Sequence, residues 1–261
     1  MNRECLGMMK NKYITIIYVM IISFAGIAQD ATDIVEQESV GFNYGFENDF
    51  ITQYVWRGLS YNEGLITQPY LWIEYNGFTF YSWSSLTLQD RNNNPKSNEV
   101  DFAIQYSRNI ESLLLEPSIA YYTYPNQADA PPTAETNLKI AYPIFEMELY
   151  TNISLDILEY SGSLSGDFGV KKVLFENDLI NISLDANAGW ANKKFIETYI
   201  GAYTEDEIFH FLNLSLAMEY YLTESIYFRP HIEYYNIIST TLKTVSGNNL
   251  TNFGLAFGVS I

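Results

Sequence analysis

The chain has 261 residues, a formal net charge of −17 and 16% aromatic residues, with 22 Tyr and 16 Phe. That length admits one large all-β domain or two smaller ones. The acidity excludes the basic surface that nucleic acid demands, so no nucleic-acid partner is expected.

Lys10 and Lys12 precede the apolar run 13–22, and the small residues Gly26 and Ala28 close it. This is the order of a secretory signal, so residues 1–28 are expected to be removed after Ala28. A membrane anchor is the competing reading, but the run is too short to span a bilayer comfortably. Cys5 is the only cysteine and follows no Leu-rich lipobox, so it leaves with the leader and the mature chain has no disulfide or thiol chemistry. Losing three of 14 basic and one of 31 acidic residues leaves 11 against 30, a net of −19. Residues 29–39 then form a short periplasmic segment ahead of a single domain, 40–261.

That domain opens on VGFNYGFENDFITQYVW, residues 40–56, where every even position except Asn48 and Thr52 is apolar or aromatic. A period of two is an extended strand with one greasy and one wet face. The pattern recurs along the chain. After an expected loop at 58–65 with a turn at Asn62-Glu63-Gly64, a strand covers 66–75. Asn76-Gly77, the strongest short hairpin signal, leads into 78–88. Further strands are expected at 99–107, 113–124 and 135–142. A turn at Pro143-Ile144 precedes strands at 145–157, 164–173, 179–190, 210–220, 226–235 and 249–261.

The expected count is 12, with short connections at 76–77, 108–112, 143–144, 174–178 and 221–225. The connections at 58–65, 89–98, 125–134, 158–163, 191–208 and 237–248 are mostly longer. An even number of strands with alternating short turns and long loops describes a bacterial outer-membrane barrel. The expected fold is therefore all-β, a 12-stranded antiparallel transmembrane β-barrel of a Gram-negative outer membrane.

A soluble sandwich alternates too, so the facing of the apolar set has to be argued. Several strands reach the ~10 residues that cross an apolar band of about 25 Å. A cylinder of this size with its apolar residues inside would enclose more space than they fill. Rings also fall where aromatic girdles belong. Tyr75, Phe78, Tyr106, Tyr142, Phe145 and Tyr220 mark the inner edge, and Trp56, Tyr121, Trp190 and Tyr234 the outer. Pro69, Pro117 and Pro230 lie inside strands and each requires a nearby bulge or strand end. Lys172 faces lipid unless it lies at an interface.

Residues 49–86, DFITQYVWRGLSYNEGLITQPYLWIEYNGFTFYSWSSL, resemble the opening of the TorF-like porin family. Tyr54, Trp56, Arg57, Gly58 and Ser60 match its Tyr-x-Phe/Trp-Arg-Gly-x-Ser strand end. Gly77, Phe78, Tyr81, Trp83 and Ser85 match the hairpin and Trp-x-Ser strand that follow. The resemblance covers about a sixth of the chain. It implies an exported outer-membrane barrel and no particular substrate.

The wet face carries Glu47, Asp49, Arg57, Asp101, Glu116, Lys139, Glu146, Glu148, Asp156, Asp167, Lys171, Asp185, Arg229, His231 and Glu233. These are the expected lumen-lining residues. Their excess of acid favours cations, unless Arg57, Lys139, Lys171 and Arg229 pair with the acids and plug the interior. The expected function is passive diffusion of small hydrophilic solutes or ions with a mild cation preference, among outer-membrane lipid and lipopolysaccharide. A closed structural or interaction barrel with partner-binding loops, and a membrane hydrolase, remain alternatives.

Chemistry is sparse. Only His210 and His231 are available, and neither has a Ser within two residues for a nucleophile–base pair. His231 with Glu233 reads as a lumen ion pair sooner than an acid–base pair, and Glu205-Asp206-Glu207 as a solvated loop. His210 is expected on the apolar face. Asn152, Asn181, Asn213 and Asn249 start Asn-x-Ser/Thr triplets but read as polar lining. No metal spacing or phosphate-binding Gly loop occurs, so neither catalytic residues, metal nor cofactor are expected.

Overall fold

The computed structural model describes residues 41–89, 98–127, 129–201 and 208–261. The expected leader, the whole of the expected periplasmic segment 29–39, Val40 and Glu205-Asp206-Glu207 lie outside the described residues. Period-two alternation becomes strand throughout. The strands are β1 Phe42–Trp56, β2 Leu59–Tyr75, β3 Phe78–Thr87 and β4 Glu99–Tyr106, which resumes after a break at Ser107 as Arg108–Ile110. They continue with β5 Leu113–Thr123, β6 Thr133–Ile144, β7 Met147–Asp156, β8 Leu164–Glu176 and β9 Ile180–Ala191. Helix α1, Lys193–Tyr199, precedes β10 Phe209–Tyr221 and β11 Ile226–Ile237, and helix α2, Thr240–Ser246, precedes β12 Asn249–Ser260.

Every strand pairs antiparallel with its sequence neighbours, and β12 closes onto β1 from Gly45↔Ser260 to Ile51↔Gly254. The result is a closed 12-stranded antiparallel barrel. Closure leaves no sheet edge to pair with another chain.

Turn chemistry sets the hairpins. Asn76 (φ 50°) and Gly77 (φ 75°) both adopt the left-handed conformation that a two-residue hairpin turn requires. Arg57 (φ 51°) and Gly58 (φ 81°) do the same. Of the expected loop 58–65, only Gly58 lies in a turn; the rest is strand, and β2 starts at Leu59. The expected turn at Pro143-Ile144 lies two residues later, at Phe145-Glu146: Ile144 still pairs with Met147, and Phe145 (φ 54°) turns the chain.

The prolines need less than a bulge. The β2–β3 pairing lapses at Gln68 and Pro69 and resumes in the same register at Tyr70↔Trp83. The β10–β11 pairing lapses around Pro230 in the same way, between Ala217↔His231 and Tyr220↔Phe228. Pro117 lies where β4 breaks at Ser107. In each case one missing donor costs one or two rungs of a single ladder.

The outer face is apolar around the whole cylinder: Leu71, Phe80, Phe102, Ile119, Phe168, Leu214 and Phe253 are exposed on successive walls. A soluble monomer's largest apolar patch is about 300–600 Å², and a continuous belt requires hydrocarbon. Tyr75, Phe78, Tyr142 and Phe145 stand exposed at the short-turn end, and Tyr121 and Tyr234 are exposed toward the long-loop end. Lys172 reaches Glu146 of the β6–β7 turn at 3.7 Å, so its charge lies at the boundary.

Alternation inverts at two places. In β1 the register shifts between Ile51 and Gln53 and again between Tyr54 and Val55. The amides of Thr52 and Gln53 both donate to the Asn252 Oδ1 of β12 (3.2 and 3.3 Å), which satisfies the backbone the ladder abandons. Trp56 consequently turns inward and does not join the outer girdle: its ring lies 5.7 Å from Phe195 and 5.0 Å from Tyr199. In β10, Gly189 pairs with Phe211 and Trp190 with Phe209. His210 is the extra residue, buried and edge-on to Phe195 at 6.2 Å, not on the apolar face.

Candidate functional site: the barrel lumen

The inner face of β1 and β11 carries one ion cluster. Arg229 donates to Glu47 (2.6 Å) and lies 3.5 Å from Glu219, while the Tyr227 hydroxyl donates to Glu47 (2.6 Å). His231 Nε2 meets Asp49 Oδ2 at 2.8 Å. The small residues of β12 make this possible, because a Cβ on Gly254 would strike the His231 ring and one on Gly258 the Tyr227 ring. Glu233 bonds Tyr235 and Asn252 (both 3.4 Å), so the expected His231–Glu233 pair is replaced by His231–Asp49.

On β5–β9 is a second cluster. Lys139 lies 3.6 Å from both Glu116 and Glu148. Lys171 is directly opposite Glu148 on one side and Asp185 on the other. Tyr150 donates to Asp185 (2.7 Å) and Asn152 to Asp167 (2.8 Å). The basic groups are thus embedded among acids.

The third group fills the long-loop end. The β1–β2 hairpin tip bends inward, and Leu59 packs with Phe195 and Ile196 of α1, Leu242 of α2, Phe211, Ile237 and Leu250. The Ser60 amide donates to the Ser246 hydroxyl of α2. Both helices are anchored by N-caps, Asn192 accepting from the Phe195 amide and Ser239 from the Leu242 amide. At the tip, the Arg57 guanidinium forms two hydrogen bonds to Glu135 of β6, 2.8 and 2.6 Å, and its face lies 4.3 Å from the Trp56 ring. Tyr122 also donates to Glu135 (3.0 Å). Below the tip, Ile51, Tyr54 and Ile66 form a small apolar cluster inside the wall that was expected to be wet throughout.

Beside this packing is a cavity of about 200 Å³ lined by Tyr54, Trp56, Tyr61, Glu99, Tyr124, Gln127, Ala130, Tyr160, Thr198 and Tyr199. Burial, reinforced by Glu99, raises the Tyr124 hydroxyl well above the ordinary phenol range. Burial and Glu135 do the same to Tyr199. Both stay neutral.

Strand parity places Glu47, Asp49, Asp101, Glu116, Lys139, Glu148, Asp167, Lys171, Asp185, Arg229, His231 and Glu233 on the inner face. Arg57 is not on the wall but at the hairpin tip. Glu146 lies in the β6–β7 turn, 87% exposed, because the strand ends at Ile144. Asp156 is buried as a loop cap, accepting from Thr133 (2.5 Å) and from the amides of Leu158 and Tyr160 (3.0 and 2.9 Å). Sequence reading missed Glu99, Glu135 and Glu219. Glu99 shares its parity with Asp101 and Glu135 with Lys139, a signal that was available at the strand starts.

No family model matches the chain, and no curated protein matches it. Among solved structures it is similar to the KdgM porin (TM-score 0.50, 8% identity, covering 84% of this chain and 99% of that one). It is similar also to the NanC porin (TM-score 0.50, 11% identity, 84% and 98%). A third is the COG4313 outer membrane channel from Pseudomonas putida F1 (TM-score 0.49, 9% identity, 88% and 100%). At these identities the likeness is one of fold.

Proposed function

We propose that this chain is exported through a cleaved leader to a Gram-negative outer membrane, where it passes small hydrophilic solutes or ions with a mild preference for cations. The TorF-like resemblance of residues 49–86 and the porin fold of its structural neighbours support that reading. The observation that carries it is the charge of the inner wall. Lys139, Lys171, Arg229 and His231 are each flanked by acids, and Glu99, Asp101 and Asp167 add further carboxylates. A water-filled path through such a wall attracts cations and repels anions. Lipid and lipopolysaccharide surround the apolar belt.

The apolar packing beneath the β1–β2 hairpin gives the alternative its basis: a barrel closed at its outer mouth whose loops bind a partner. The two readings meet if the hairpin is a gate latched by Arg57 and Glu135. No enzymatic role is proposed, since His231 is committed to the wall through Asp49. Planar-bilayer recording separates the readings. Stepwise current from folded protein supports the pore, and silence supports the closed barrel.

A further inference from the structure

The cavity at the long-loop end has a composition unlike the rest of the interior. Tyr54, Trp56, Tyr61, Tyr124, Tyr160 and Tyr199 surround about 200 Å³, with the Glu99 carboxylate at the wall. Glu99 is 8% exposed and accepts a hydrogen bond from the Tyr54 hydroxyl at 2.9 Å. Asp101 lies two positions along the same face, 7% exposed, and its Oδ1 has no hydrogen-bond partner. Among the described residues no Lys or Arg forms an ion pair with either acid, because the guanidinium at this end, Arg57, is committed to Glu135. Among the described residues, then, the Glu99 carboxylate in the wall of this aromatic chamber and Asp101 beyond it are buried without an ion-pair partner, an arrangement that favours a cationic guest.

We propose that this chamber binds a small organic ammonium ion, the charge facing Glu99 and the alkyl groups lying against the tyrosine rings. Ring quadrupoles attract cations on their faces, and aromatic enclosures of this kind suit alkylated ammonium groups. A hard divalent metal does not fit. It wants six to eight oxygen ligands, and no group of three or more His, Cys, Asp or Glu residues among the described residues is placed to hold one. The volume is below the roughly 300–1,000 Å³ of drug-sized sites, which restricts the guest to a few heavy atoms. A neutral sugar also stacks on rings, but it offers Glu99 no opposite charge.

The inference deepens the cation-preferring pore by naming a solute class at its entrance. The test uses choline chloride as probe, titrated calorimetrically into the refolded mature protein in detergent, with sodium chloride and glucose as comparators. Saturable choline binding is expected, with no heat from glucose. Glu99→Gln keeps an acceptor for Tyr54 and is expected to weaken choline at least tenfold. Tyr124→Phe keeps the ring and is expected to change affinity less than threefold, whereas Tyr124→Ala weakens it beyond that. A folded protein that ignores choline, binds glucose instead, or binds choline equally well as Glu99→Gln overturns the proposal. Choline binding without bilayer current defeats the pore and leaves the site standing. Current without choline binding does the reverse.

Discussion

Arg57 and Glu135, 78 residues apart, meet through two parallel hydrogen bonds inside the barrel, and Glu135 is only 2% exposed. The pair ties the tip of the β1–β2 hairpin to the opposite wall. Removing one partner of a buried pair strands the other charge, at about 3–5 kcal/mol. Arg57→Ala is therefore expected to lower the urea midpoint of the barrel in lipid vesicles more than the double variant Arg57→Ala/Glu135→Gln does. Equal losses would mean that the pair holds nothing in place.

The same latch has a transport consequence. With Arg57→Ala the hairpin loses its anchor on β6, and single-channel conductance is expected to rise by about twofold or more. An unchanged conductance would place the narrowest point elsewhere.

Glu146 and Glu148 separate wall from turn. Glu148 faces Lys139 and Lys171 on the inner wall, whereas Glu146 lies in the β6–β7 turn. Glu148→Gln is expected to reduce cation selectivity, read as a shift of reversal potential toward zero in a salt gradient. Glu146→Gln is expected to leave it where it was. The reverse order would invert the assignment of the two faces.

Gly254 and His231 test the packing of the wall. A methyl group at position 254 meets the imidazole ring, and overpacking of this kind costs about 1–3 kcal/mol. Gly254→Ala is expected to destabilise the barrel by that amount, and His231→Ala to absorb much of it. The double variant then loses less than the two singles together. Strict additivity would show that the ring does not lie over the glycine.

Leu214, exposed in the middle of β10, tests the outer face. Arg at a bilayer midplane costs about 2–4 kcal/mol, whereas the same change on a water-exposed strand is close to neutral. Leu214→Arg is expected to show the larger cost in vesicles.

The strands were legible because alternation is imposed by the pleat itself, and Asn76-Gly77 announced its turn. The first hairpin was not, because Arg57-Gly58 is a less familiar pair for the same backbone geometry and Asn62-Glu63-Gly64 is a better-known one. Period-two counting puts Trp56 and His210 on the outside because it carries no record of an inserted residue. The insertions are held by tertiary partners, Asn252 for one and the α1 packing for the other. Helices of seven residues are too short for a helical period to be read, so the packing they bring to the mouth was invisible. Most wall charges followed from parity. Asp156 became a cap because loop amides converge on it, which spacing does not reveal.

Reversal potential across a bilayer holding many channels, in a tenfold gradient of potassium chloride, tests the acidic conducting lumen most directly. The expected result is stepwise current with a reversal potential on the cation side, carried by the wild type or, if the latch is shut, by Arg57→Ala. Silence from both, or a reversal potential on the anion side, would contradict it.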